Sequence, residues 1–500
     1  MKRFLLIWCV FISVNVFGQN RTNIWELSYP IVPGSKTCEL KLINGTMDTQ
    51  SIYRQMYFFV TNASICDTSG ELLFYSNGLT IENRNYDTLQ NAVGFNPGSA
   101  TDSYEPGGMG TCQGVLILPD PGNEKRYYIF HVSGESFIAY DTYQLQPLHL
   151  NYSVVDMNLD GGMGGVVDSL KNKTAITDTL MWGGLTAVKH ANGRDWWIVA
   201  HRFYNDKYYK ILLTPNGLEE ITNQLIGSQM MYDVGVQATF SSDGSKYCLS
   251  THGGWLDYLQ FDRCSGEFSD AITIHGLDTL GVWGSSFSPN GRFLYASSQV
   301  NLYQYDTWNP EMVENAVHIA AWDSFVDPIY HIPIWFFMHQ LAADNKIYLS
   351  TWGGSLYFNV INSPDSLGLS CNFQPHSYIL PDNAYNVSLP SFPNYDLGTL
   401  DGSPCDTIID VPTGIHNTTI YHFRIVPNPV HDWLNIIYES NDDLLLELFD
   451  INGKLMTVAS LYHYFKNRLL NVSELPPGVY VVAVSCKGER VWSEKVVVQR

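Results

Sequence analysis

Four acids sit in turn-rich stretches of this chain: Asp233, Asp257, Asp323 and Asp327. Two carboxyl groups held about 5–10 Å apart across a cleft can cleave a glycosidic bond, one protonating the leaving oxygen and the other acting as base or nucleophile. Tryptophans occupy similar positions. Trp182, Trp255, Trp283, Trp322, Trp335 and Trp352 fall at turns or loops rather than inside alternating strands. Their rings offer a flat apolar face with a polar tip, suited to a ligand platform and equally to packing between sheets. Trp182, Trp255, Trp283 and Trp352 are the candidate binding residues.

Other reaction signatures are missing. The sequence contains no G-x-S-x-G elbow, H-E-x-x-H, C-x-x-C or P-loop. HGGW (252–255) only faintly echoes an oxyanion segment, and MWGG (181–184) and TWGG (351–354) repeat its spelling, which points to recurring turns. Asp156, Asn158, Asp160 and Gly161 follow the order of a calcium loop, but the twelfth position, where a bidentate acid belongs, is Val167. His190, His201, His252 and His339 stand near strand ends, where a lone histidine is usually a structural hydrogen-bonder. No catalytic residue, metal or cofactor is assigned.

These side chains would be positioned by a repeated element. FSSDGSKYCLS (240–250), FSPNGRFLYAS (287–297) and LAADNKIYLS (341–350) each place a turn pair before a short apolar strand. Looser copies are AVKHANGRDWWIV (187–199), ICDTSGELLFYS (65–76) and PDPGNEKRYYIFHV (119–132). The turn residues Gly193, Gly244, Gly291 and Asn345 recur about every 50 residues, near the roughly 40–50 of a four-stranded propeller blade. The spacing predicts an all-β fold, a six- or seven-bladed β-propeller over 20–396. The N-terminal strand within 21–33 is expected to close the ring against the last blade, which otherwise leaves edges open, and with the segment 378–396 to supply the seventh blade where there is one.

Composition narrows the partners. With 28 basic and 49 acidic residues the net charge is −21, which repels a phosphate backbone and disfavours nucleic acid. Residues 1–19 (MKRFLLIWCVFISVNVFGQ) have the charged start, apolar run and small residue of a secretory signal peptide. No later apolar run reaches the ~18 residues of a membrane span. Eight cysteines remain after it: Cys38, Cys66, Cys112, Cys248, Cys264, Cys371, Cys405 and Cys486. An exported chain permits disulfides, and spacing leaves both pairing and buried thiols open.

After 396 the period is lost. Residues 397–422 are rich in Gly, Pro, Thr and Asp and read as a linker. Residues 423–500 return to short alternating strands, as in a small Ig-like β-sandwich. The pieces VPNPVHDWLNI (426–436), LELFDINGKL (446–455), LNVSELPPGVYVV (470–482) and EKVVV (494–498) resemble the type IX secretion system C-terminal sorting domain. That resemblance implies secretion or display at the outer cell surface through the periplasm, with the type IX machinery as partner. It makes Pro427, Asn428, Pro429, Asp450, Gly453, Gly478, Tyr480 and Lys495 the sorting signal. The body, through GELLFYSNG (70–78), TAVKHANGRDWWIVAH (186–201), SLGLSCNF (366–373) and LPSFPNY (389–395), resembles WD-like propeller proteins that carry such tails. That likeness implies no defined reaction. The expected function is therefore a non-catalytic binding or adhesion module for a glycan or surface protein. The alternative is a glycan-active hydrolase or lyase with carboxylates at the propeller mouth.

Overall fold

The computed structural model describes residues 20–29, 34, 36–43, 45–139, 142–229, 236–275, 281–405, 422–440, 442–450, 454–486 and 489–499. The signal-peptide reading, Asp233, Gly453 and most of the linker lie outside the described residues. The chain divides into two units, Met1–Ile409 and Asp410–Arg500.

Unit 1 is all-β apart from short helical turns, and its sheets are antiparallel meanders that follow one another along the chain, an arrangement consistent with the propeller superfamily. Sheet 1 comprises Ile24–Leu27, Thr37–Ile43 and Thr46–Ile52; sheet 2 comprises Ala63–Cys66, Leu72–Ser76 and Ile81–Asn83. Sheet 3 joins Val115–Asp120, Asn123–Val132 and His149–Asp156, the last also pairing with Gly165–Val166 and Lys173–Thr177. Four regular four-stranded sheets follow. Sheet 4 is Thr186–Lys189, Trp196–His201, Lys207–Thr214 and Gly217–Leu225; sheet 5 is Val236–Phe240, Lys246–Thr251, Trp255–Phe261 and Phe268–His275. Sheet 6 is Gly284–Phe287, Phe293–Ser297, Asn301–Asp306 and Val317–Ala321; sheet 7 is Phe336–Leu341, Ile347–Thr351, Tyr357–Ile361 and Phe373–Ile379.

The repeated turn pairs stand where their chemistry requires. Gly244, Gly291 and Asn345 take positive φ in the first hairpin of sheets 5, 6 and 7, the conformation such turns demand and Gly or Asn tolerates. The second strands that follow are buried at nearly every position, with Phe293–Ser297 and Ile347–Thr351 covered throughout. Alternation fails there because neighbouring sheets cover both faces. First strands of sheets 5, 6 and 7 lie side by side, sheets 3 and 4 share one apolar cluster, and Trp25 of sheet 1 packs edge-on against Tyr348 of sheet 7 at 5.7 Å.

In a meander whose first strand starts at one end, the second turn and the crossover to the next sheet return to that end. We call it the loop end, and the opposite one the hairpin end. The segment following sheet 7 runs from the first to the second. Asn386 bridges Ser355 at a loop-end turn, Ser391 N–H donates to Asn62 O at 2.9 Å, and Tyr395 OH donates to Ile117 O at 2.8 Å. Asn394 Nδ2 then donates to Ser242 O, at a hairpin, at 2.7 Å.

Residues 397–405 stay attached to unit 1. Leu397 packs against the cluster of sheets 4 and 5, Arg263 Nη2 donates to Gly398 O, and Thr399 bridges Asn192. Cys405 ends this strap in a disulfide with Cys264, across 141 residues of sequence. The other described cysteines, Cys38, Cys66, Cys112, Cys248, Cys371 and Cys486, are buried free thiols. A crosslink closing so long a loop restricts the unfolded chain strongly, and removing one typically costs about 2–4 kcal/mol. Cys264→Ser/Cys405→Ser is accordingly expected to lower the melting temperature of unit 1 and to expose 397–405 to protease; equal melting of oxidised and double-variant protein would show the strap holds without it.

Unit 2 contains the sheet His422–Val426, Trp433–Glu439, Asn467–Asn471 and the sheet Leu455–Leu461, Leu444–Asp450, Gly478–Cys486, Glu489–Val498. Alternate residues of both sheets, including Leu434, Ile436, Leu446, Leu448, Val482 and Val496, form one core. Several residues that the resemblance singles out hold its turns and strand edge. Asn428 donates from Nδ2 to Lys495 O at 2.8 Å and accepts from Val497 N–H at 2.9 Å, so one side-chain amide between Pro427 and Pro429 satisfies the edge of the last strand. Lys454 N–H donates to Asp450 Oδ1 at 2.9 Å, and Tyr480 OH, two residues after Gly478, donates to Pro476 O at 2.8 Å. Asn428→Ala loses both bonds at an exposed position and is expected to cost about 1 kcal/mol, measured as a lower urea midpoint for unit 2; an unchanged midpoint would remove Asn428 from the strand-edge role.

Candidate functional site

Aromatic rings gather at the loop end of unit 1. The Thr251–Trp255 turn of sheet 5 and the Thr351–Tyr357 turn of sheet 7 are built alike: Gly254 N–H donates to Thr251 O at 3.1 Å, and Gly354 N–H to Thr351 O at 2.9 Å. His252 and Trp352 are therefore equivalent residues of two sheets with sheet 6 between them. Trp283, at the end of the crossover into sheet 6, lies between them. Its ring centroid is 3.6 Å from that of His252 and 4.6 Å from that of Trp352. Phe337, on the first strand of sheet 7, completes the group at 5.1 Å from Trp352.

The row of rings continues along the same end. Gly354 has φ +81°, and a Cβ there would lie 2.4 Å from the Tyr385 ring, so only glycine lets that tyrosine cover the turn. Tyr385 meets Tyr330 edge-on at 5.3 Å. Tyr29 and Phe59 follow at 5.2 Å, and Phe59 stacks on Tyr104 at 6.3 Å. Trp182 Nε1 donates to Gly110 O at 2.9 Å, fastening the crossover into sheet 4 to the one into sheet 3.

The four tryptophans singled out by sequence thus all stand at the loop end, in different settings. Trp283 is buried, and Trp352 and Trp182 are partly covered. Trp255 is half-buried at the rim, edge-on to His275 at 6.4 Å. Sequence reasoning missed His252 as the partner of Trp283, and missed Phe337, Tyr330 and Tyr385. The likeness of HGGW to TWGG was the available signal, since it aligns His252 with Trp352.

The described candidate carboxylates, Asp257, Asp323 and Asp327, are occupied by structural bonds. Asp257 is fully buried and accepts from Ser228 N–H and Oγ at 2.8 and 2.9 Å and from Thr273 Oγ1 at 2.7 Å. Asp327, also fully buried, accepts from Ile329 N–H at 2.7 Å and Tyr330 N–H at 3.0 Å, closing the loop that carries Tyr330. Asp323 caps Phe325 N–H and meets His376 Nε2 at 2.9 Å; these partners, chiefly the His376 bond, outweigh burial and hold its carboxyl below the usual range. In the calcium-like stretch, Asp156 accepts from Asn158 N–H and from Arg126 Nε, both at 2.9 Å. Among the described residues no group of three or more His, Cys, Asp or Glu is arranged to hold a metal.

Comparison with known proteins adds an address. Residues 424–499 match the secretion system C-terminal sorting domain. The chain carries a type IX sorting domain, engages that secretion machinery, and is secreted or held at the cell surface. Among the described residues no helix is long and apolar enough to cross a membrane. No curated protein matches the chain. Among solved structures it is similar to the periplasmic gluconolactonase PpgL of Pseudomonas aeruginosa, at 11% identity and TM-score 0.37, covering 74% of this chain and 98% of that one. It is also similar to a functionally unknown protein of Desulfotomaculum acetoxidans, at 12% identity and TM-score 0.37, covering 74% and 99%. Kluyveromyces lactis Hsv2 is similar at 10% identity and TM-score 0.35, covering 68% and 90%.

Proposed function

We propose that the chain is an exported binding module: a seven-bladed β-propeller that holds a glycan at its aromatic loop end, followed by an Ig-like sandwich read by the export machinery. Sheets 1 to 7 supply the blades. The N-terminal strands of sheet 1 and the segment 387–396 close the ring together. Residues 20–405 then form the propeller, and the linker begins beyond Cys405.

The observation that carries the binding reading is the row of partly exposed rings from Trp255 and His252 through Trp352 to Tyr330. The C–H faces of pyranose rings stack on such surfaces while sugar hydroxyls reach the rim. Asp257 and Asp327 are engaged in holding loops, which favours binding over cleavage. The strap ending at Cys405 is fastened at the hairpin end of unit 1, opposite the aromatic rings.

Affinity electrophoresis of the purified chain through a panel of neutral and acidic polysaccharides tests this reading. Retardation by at least one polymer is expected. Trp255→Ala and Trp352→Ala should each weaken it by about 1 kcal/mol, roughly fivefold. Absence of retardation across the panel, or retardation indifferent to both variants, would overturn the proposal. Polymer cleavage abolished by Asp323→Asn would establish the hydrolase or lyase alternative instead.

A further inference from the structure

We infer a second, separate ligand site at the hairpin end: a chamber on the axis of unit 1 that takes one uncharged, hydroxyl-rich molecule the size of a single sugar ring. Its volume is about 360 Å³, at the lower end of the roughly 300–1,000 Å³ typical of small-ligand pockets.

Glutamine side chains line its inner end. Gln113 Nε2 donates to Ala238 O at 2.9 Å and its Oε1 accepts from Ala238 N–H at 2.7 Å. Gln237 Nε2 donates to His339 O at 2.6 Å, while its Oε1 accepts from Ser285 N–H at 3.2 Å and His339 N–H at 3.0 Å. These amides tie the first strands of sheets 5, 6 and 7 to the crossover before sheet 3. From that level the first strands run outward to the hairpins, and the chamber opens between them and the segment 392–396.

The lining specifies the ligand class. Thr239 and Ser286 bring hydroxyls and Gln340 and Asn394 bring amides, each also donating once to a backbone carbonyl, and Phe240 brings a partly exposed ring. Among the described lining residues there is no lysine or arginine, and Asp396 is the one carboxylate. His339 is fully buried and held neutral by its burial, its pKa lowered to about 3. Such a wall has no cation for a phosphate or carboxylate ligand, and it offers donors and acceptors in both senses to hydroxyl groups. A roomy polar cavity holds water or a ligand rather than staying empty. The Phe240 ring beside the hydroxyls and amides favours a sugar ring over water alone, because water gains nothing from it.

Calorimetric titration and saturation-transfer NMR on the full-length chain test the site with D-glucose, D-galactose, D-mannose and N-acetyl-D-glucosamine, and with glucose 6-phosphate as the charged counterpart. Saturable binding of at least one neutral sugar is expected, with the phosphate ester at least tenfold weaker. Asn394→Trp, at an exposed mouth position, and Gln340→Trp, on the wall, should each weaken the sugar at least tenfold while the variant still melts in one cooperative transition; if one fails to fold, the other decides. The inference is overturned if no neutral sugar binds, if glucose 6-phosphate binds equally well, or if a folded variant binds like the parent.

Discussion

Between pH 7 and pH 5 the melting temperature of unit 1 is expected to fall steeply, long before its carboxylates titrate. His131, His201 and His339 are each almost completely buried, and burial lowers each pKa to about 3. His131 faces Phe95 with ring centroids 4.3 Å apart, His201 faces Tyr208 at 4.3 Å, and His339 Nε2 shares a 2.8 Å hydrogen bond with Ser297 Oγ. The unfolded chain binds a proton at each near pH 6.5, whereas the folded chain does not until about pH 3. Below pH 6.5 the unfolded state therefore holds more protons. Stability is complete above that pH and is lost on acidification, approaching about 1.4 kcal/mol per pH unit for each histidine. Three together approach about 4 kcal/mol per unit, against a typical total of roughly 5–15 kcal/mol. Asp156, Asp178 and Asp306, held below the usual carboxylate range by hydrogen bonds and by arginine partners, add their loss only in stronger acid. Calorimetric scans from pH 7.5 to 4.5 check this. His339→Gln, which keeps a hydrogen-bonding side chain, should remove about a third of the slope. A melting temperature flat across that range would mean the three rings are not buried as neutral groups.

Arg54→Met is expected to be the most damaging single substitution, at about 3–5 kcal/mol. Glu26, on the first strand of sheet 1, is fully buried, and Arg54 beside it is nearly so. Arg54 donates through Nη1 to Glu26 Oε2, through Nη2 to Leu27 O, and through Nε to Met56 O at 2.9 Å. The guanidinium also lies 4.7 Å from the Phe58 ring centroid. Burial pushes the Glu26 carboxyl well above the ordinary carboxylate range; Arg54 opposes that rise and Glu39 adds to it. Removing the cation strands a carboxyl that must stay protonated. A raised folded pKa gives stability that is present below about pH 4.5 and lost as pH rises. Because Arg54 holds the parent's Glu26 below where it stands in the variant, the gap between parent and Arg54→Met should widen at the high-pH side, once the parent's Glu26 ionises, opposite in sense to the histidine effect. Glu26→Gln in the Arg54→Met background should recover part of the loss, because a neutral amide needs no counter-charge. Denaturant unfolding at three pH values separates these outcomes; a gap that does not vary with pH would place the cost in lost packing.

Local pattern made much of the fold legible. Asp243-Gly244, Asn290-Gly291 and Asp344-Asn345 stand in hairpins between apolar strands because turn chemistry and strand propensity act over a few neighbouring residues. The sorting tail was equally legible: its P-N-P, Asp450 and Tyr480 each close a contact in unit 2. The site was legible only in part. Tryptophan at loop positions marked the end where the rings gather, yet the stacking of Trp283 between His252 and Trp352 joins three separate sheets, and no spacing rule encodes that.

By itself, the sequence determined the all-β class, the repeated hairpin, the loop placement of the aromatic residues and the export tail, since each follows from side-chain type and short-range spacing. Tertiary structure alone decided that Cys264 pairs with Cys405, that Glu26 meets Arg54, that Ser228 and Thr273 hold Asp257, and that Gln113 and Gln237 cross-link first strands of different sheets. Those pairings join residues far apart in the chain. They depend on how the sheets are stacked, which fixes distance and burial together, and no local signal carries either quantity.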